Sequence, residues 1–313
     1  DRPVSLSQPR RLLEDYGWRV LSPPEAFLGH RTKAGQAEKL SAWLLRNAHH
    51  ADGWVISLDM LVYGGLVPSR ELHSDLPSCQ KQLATLERLR QKIPDVPIFA
   101  FQSIRRLSTT VATSEDLQKW EEHLDGKGLA PERERNHHIN LAAVELLGKS
   151  CLDWLSLLQE DAQDNETINL EHNRLLERAS LLSCEDKLCV TTGCDEGAQV
   201  LLTRMACRLS DFTPHVVVNF SSESGSKRKA LYEERSIRDT AFGQLKCLGA
   251  KAVTDPDGAE VELWLWCPDR ECRDLWLNEP YEKGDDGLDR FIEYIANTIE
   301  TCGHAVAVAD VAY

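Results

Sequence analysis

The stretch Gly53-Trp-Val-Ile-Ser-Leu58 is apolar without alternating, and Asp59-Met-Leu-Val-Tyr63-Gly64-Gly65 follows it at once. A short run of this kind suits a strand covered on both faces, as parallel sheets require. Similar runs occur on either side of it. They are Arg19-Val-Leu21, Pro97-Ile-Phe-Ala-Phe101, Leu152-Asp-Trp-Leu-Ser-Leu-Leu158, Leu188-Cys-Val-Thr191, His215-Val-Val-Val-Asn-Phe220, Glu262-Leu-Trp-Leu-Trp266 and Ala305 to Ala309. Between them, apolar residues recur at helical spacing in 36–47, 79–92, 140–147, 170–182, 196–209, 237–248 and 288–301. Strand alternating with helix over the whole length predicts a parallel α/β fold. Eight visible strands, with one more expected before Asp1, fit a (β/α)8-barrel-like domain over 1–313. An open doubly wound sheet is the alternative. Both ends read as incomplete, because Asp1 follows no Met and the run ending at Asp310 has no helix after it.

Composition narrows the function. The chain has 313 residues, with 36 Lys+Arg against 50 Asp+Glu, a net charge of −14. That balance repels phosphate backbones, so nucleic acid is not an expected partner. No apolar run approaches the roughly 20 residues of a membrane span. The 10 cysteines form no CxxC pair, and several fall in apolar runs. They read as small hydrophobes in a reduced, cytoplasmic protein. No GxxxxGK[ST], HExxH or GxSxG occurs, which argues against P-loop, zincin and esterase-elbow chemistry. No cofactor is expected.

In parallel α/β folds the working groups collect at the carboxyl ends of the strands. Here those ends carry Asp59 and Tyr63, Gln102-Ser103, Gln159-Glu160-Asp161, Asp195-Glu196 and Asp310, with Asp1 after a strand outside the sequence. Clustered carboxylates separate one another's proton affinities, as glycosidic hydrolysis needs. The same oxygens could instead hold a hard cation. Asp195 and Glu196 also suit a helix N-terminus. The segment 132–140 packs Arg133, Arg135, Asn136, His137 and Asn140 together. Arg133, Asn136, His137 and Asn140 share one helical face, which suits a hydroxylated or anionic ligand. Gly64-Gly65 predicts a tight turn or a close approach to a ligand.

These residues resemble a mainly bacterial family, DUF4127. The matching stretches are Asp1-Arg-Pro-Val4, Ser57 to Arg70, Arg133-Glu-Arg-Asn-His137 with Asn140, and Asp310-Val-Ala-Tyr313. Gln159-Glu160-Asp161, Gly193-Cys-Asp-Glu196 and Tyr232-Glu-Glu-Arg235 match more weakly. The resemblance implies a truncated or diverged member. Ser5 stands where the family has Asn and Glu160 where it has Asp, and a following Pro-Tyr-Gly is missing. It carries no activity with it.

The expected function is a glycoside-hydrolase-like enzyme acting on a polar or acidic carbohydrate. Asp1, Asp59, His137 and Asp195 are the expected catalytic residues. Arg2, Tyr63, Arg70, Arg133, Arg135, Asn136, Asn140, Glu196 and Asp310 are the expected binding residues. Two alternatives remain open: a non-catalytic saccharide- or small-ligand-binding domain, and a metal-dependent hydrolase or lyase using Asp59, Glu160, Asp161 and Asp195.

Overall fold

The computed structural model describes residues 3–30, 32–106, 131–160, 166–230, 233–267, 269 and 287–311. Its contacts divide the chain, read above as one domain, into two compact units. The first is Asp1–Glu160 with Glu166–Leu209, and the second is Asp161–Asn165 with Ser210–Tyr313.

The first unit is built on four parallel strands in the order β1-β2-β3-β4. They are β1 (Trp54–Ser57), β2 (Ile98–Ile104), β3 (Trp154–Gln159) and β4 (Leu188–Thr192). Ser57 pairs with Phe101, Ser103 with Leu158, and Gln159 with Thr192. Every residue of β2 and β3 is buried. Successive side chains point to opposite faces, so both faces must be covered. One face carries Trp54, Ile56, Ala100, Leu155, Leu157 and Leu188 into the main core. There they meet α3 (Leu76–Leu83), α4 (Thr85–Lys92), α5 (Pro131–Gly148) and α6 (Glu166–Leu181), through Leu86, Leu89, Ile139, Val144 and Leu175. Each fully buried side chain of this size contributes about 1.5–3 kcal/mol.

The other face carries Phe99, Phe101, Trp154 and Leu158. It is covered by α7 (Gly197–Leu209), which also packs on α1 (Ser7–Asp15). A Cβ on Gly197 would stand 2.4 Å from Leu158 Cδ1, so glycine sets this close approach. The Arg204 guanidinium lies 3.4 Å above the Trp154 ring.

The second unit has its own parallel sheet, in the order β6-β5-β7-β8. Its strands are β5 (His215–Phe220), β6 (Lys251–Val253), β7 (Val261–Trp266) and β8 (Ala305–Asp310). They are flanked by α8 (Ile237–Leu248) and α9 (Leu288–Thr301). Ser236 caps α8 through Asp239 N at 3.1 Å. Gly249, at φ +82°, ends it.

The parallel α/β class holds, but neither sheet closes into a barrel. A barrel needs each strand to pair with the next around a ring. Here β7 returns to the far side of β5, which leaves β6 and β8 as edges. The expected strand at Arg19–Leu21 is irregular. Lys251–Val253 is a strand that its exposed, charged start conceals. Residues 79–92 fall in two helices that meet at Ala84, and α1 is a further helix whose polar composition hid it.

After β1 the chain enters a five-residue π-helical turn, Asp59–Tyr63, which stops at Gly64 with φ +82°. Gly35 N donates to Gly64 O at 2.8 Å. A Cβ on Gly64 would stand 2.6 Å from Gly35 N and 2.7 Å from Gly35 O. The two backbones cross here with no room for a side chain, and that is the role of the Gly64 turn. Gly64→Ala is expected to cost about 1–3 kcal/mol in urea unfolding, from the left-handed backbone and the clash together. Gly258, with nothing within 4 Å of a Cβ, is the control. Gly258→Ala is expected to stay within about 0.5 kcal/mol of wild type.

Candidate functional site

Extending the β1–β2 register past Ser57 and Phe101 brings Asp59 beside Ser103. Asp59 is buried, and its carboxylate accepts from Ser103 N and from Ser103 Oγ, both at 2.9 Å. A carboxylate can only accept, so two donors from one rigid strand end hold it in place. Tyr63, at the other end of the π turn, is buried too. Its OH accepts from Gln102 Nε2 at 3.4 Å. Burial, then the Asp59 charge, push the phenol well above its ordinary value.

The first turns of α5 point inward. Arg133 reaches both oxygens of Glu171, at 2.9 and 2.5 Å, and donates to Arg105 O at 2.7 Å. Burial raises the Glu171 carboxyl above its usual range, and Arg133 pulls it back. Arg135 Nη1 donates to the carbonyls of Glu71 and Ser74, both at 2.9 Å, and Nη2 to that of Ser69 at 2.6 Å. Its guanidinium lies 4.8 Å from the Tyr63 ring centre. Asn136 Nδ2 donates to Ser69 O at 2.9 Å. Arg70 is bonded to Glu160, whose other neighbour is Arg106, at 3.8 Å. Of the four arginines named above for substrate, Arg70, Arg133 and Arg135 are thus engaged by the protein itself.

His137 shares the buried side of α5 and is 8% exposed. Neither ring nitrogen has a hydrogen-bond partner among the described residues. Burial, then Arg174, His138 and Arg133, lower its pKa to about 4. One turn further on, Asn140 Nδ2 lies 3.5 Å from Ser103 O. Asn140 Oδ1 and Gln102 Oε1 are buried without a partner among the described residues. A native fold keeps few such groups, so they mark this part of the strand ends.

A cavity of about 430 Å³ opens on the α7 side of the sheet. Asp59, Ser103 and Cys194 line one end of it, where β1, β2 and β4 finish. The rest is largely apolar, with Leu13, Trp43, Phe101, Leu202 and Met205 among its walls. Asp195 follows Cys194 directly and is half-buried, and the exposed Glu196 leads into α7. The strand ends therefore bring Asp59, Ser103 and Cys194 to one cavity, while Asp195 is not among its lining residues, and Ser103 links Asp59 to Asn140. Asp310 ends β8 in the second unit and is exposed. Asp1, Arg2 and Asp161 lie outside the described residues. Among the described residues no group of three or more His, Cys, Asp or Glu side chains is placed to hold a metal ion.

Ser103 and Gln159 read from the sequence as polar strand ends without an assigned role, whereas Glu171 and His172, whose imidazole Nε2 lies 3.1 Å from Gln159 Oε1, are not singled out there. Ser103 stands out because it interrupts an apolar strand at its carboxyl end. Glu171 and His172 sit inside an ordinary leucine-spaced helix and give no such signal.

Two measurements follow. The folded state keeps His137 neutral down to about pH 4, against an ordinary value of 6.5. The unfolded chain binds the proton first, so His137 removes stability as pH falls from 6.5 towards 4, up to about 3 kcal/mol. Urea unfolding of His137→Gln across that range should show a shallower pH slope than wild type, and an equal slope would assign the effect elsewhere. Removing one partner of a buried pair strands the other. Glu171→Leu alone should cost about 3–5 kcal/mol, and Arg133→Met with Glu171→Leu less than the single change.

A family model described as “Protein of unknown function (DUF4127)” matches residues 1–125 and 127–313. No curated protein and no solved structure matches. With the match covering both units and every strand-end residue described above, the chain belongs to the DUF4127 family.

Proposed function

We propose that the first unit hydrolyses glycosidic bonds at the carboxyl ends of β1, β2 and β4. The observation that carries this reading is Asp59, a buried carboxylate fixed by two Ser103 hydrogen bonds at the end of a cavity. A carboxylate fixed in this way suits the nucleophile, base or electrostatic role opposite an anomeric carbon. Asp195, half-buried beside the cavity-lining Cys194, has the solvent access that suits proton exchange. In the reaction the anomeric C–O bond breaks. Water supplies the new hydroxyl to carbon and a proton to the departing oxygen, so no oxidant or cofactor enters. His137 is not among the residues that line the cavity, so it has no part in the proposed reaction. A neutral hydroxylated sugar fits better than an acidic one, because Arg70, Arg133 and Arg135 already have partners.

A second reading, saccharide binding without turnover, draws on one observation. The buried pairs Arg70–Glu160 and Arg133–Glu171 use charge at the strand ends for structure. Buried thiols such as Cys79, Cys184 and Cys247 fit a reducing compartment, and we place the protein in the cytoplasm on that ground.

Chromogenic aryl glycosides of several sugars test the main reading. Asp59→Asn and Asp195→Asn should each lower kcat on a responsive substrate by about 100-fold or more. Ser103→Ala should lower it about tenfold by removing the Ser103 Oγ hydrogen bond to Asp59. Wild-type turnover in both aspartate variants would sink the proposal. Thermal stabilisation by saccharide without product would favour the second reading.

A further inference from the structure

We infer that the cavity beyond Asp59 receives an apolar leaving group, so that the substrate is an alkyl or aryl glycoside rather than a glycan. This rests on the hydrolase reading for the sugar end alone. The cavity follows β1 for its whole length, from Ser57 back to Trp54 and Gly53. Four strand residues span about 13 Å. Along that path the walls are Leu13, Leu40, Trp43, Leu44 and Met205. Of its hydrogen-bonding side chains, Ser57, Asp59 and Ser103 stand at the carboxyl end of β1 and His50 and Asp52 before its amino end, with Arg10, Arg19 and Ser22 also in the lining. A second sugar placed between them would lose water from its hydroxyls with little in return. A hydrocarbon chain gains from every carbon it buries.

The probes are n-alkyl β-D-glucosides from methyl to octyl, held below their micelle concentrations and titrated calorimetrically into the whole chain. Affinity should rise about fourfold per methylene until the cavity is full, which corresponds to about 0.8 kcal/mol per buried methylene. Ala206→Phe and Ser22→Phe narrow the cavity from two separate elements. Each should abolish the dependence on chain length, and each is used only if its melting temperature without ligand matches wild type. Affinity independent of chain length, or a rise that survives both substitutions, overturns the inference. Asp59→Asn separates the two ideas. A chain-length effect kept in that variant, with no turnover by wild type, sinks the hydrolase reading and leaves the tail site. Turnover indifferent to chain length does the reverse.

Discussion

A guanidinium buried away from water must find a carboxylate or several carbonyls. That requirement organises the carboxyl ends of the first sheet. Arg133 binds Glu171 across from α5 to α6, Arg70 binds Glu160 at the end of β3, and Arg135 gathers the carbonyls of Ser69, Glu71 and Ser74. These contacts hold the segment after the Gly64 turn against α5. They also keep the ends of β1, β2 and β3 at fixed separations. Asp59 and Ser103 stand inside this frame, so their two hydrogen bonds are set by the strands rather than by a loop.

The arrangement divides the polar residues into two sets. One set, the arginines with Glu160 and Glu171, is consumed by the fold. The other set faces openings or lacks partners among the described residues: Asp59 at the cavity, His137, Asn140 Oδ1 and Gln102 Oε1. A stable buried ion pair is costly to make and costlier to break. The first set is therefore poorly placed to change partners when a ligand arrives. The second set can take part in chemistry without dismantling the frame.

The strands of the first sheet were legible because parallel strands buried on both faces must be largely apolar, as the runs Trp54–Ile56 and Ile98–Phe101 are. The division into two sheets was not legible, because a strand's neighbours leave no mark in its own composition. Lys251–Val253 pairs along the sheet edge and needs no apolar face. Asp59 could be picked out as a carboxylate just past an apolar run. The engagement of Arg70, Arg133 and Arg135 could not, since an arginine reads alike whether it meets a substrate or Ser69 O. Gly64 was recognisable as a tight turn or a close approach to a ligand, but the backbone it meets, Gly35, lies 29 residues earlier in an irregular segment.

The packing of α1 on α7 has a consequence for how the protein is made. Leu13 of α1 is buried in a unit whose other wall, α7, ends at Leu209. During synthesis the first helix must wait while nearly two hundred further residues leave the ribosome. Until then the aromatic face of Phe99, Phe101 and Trp154 stays open to water. Contacts so distant along the chain are slow to form. Covering that aromatic face is therefore a late step in the folding of the first unit.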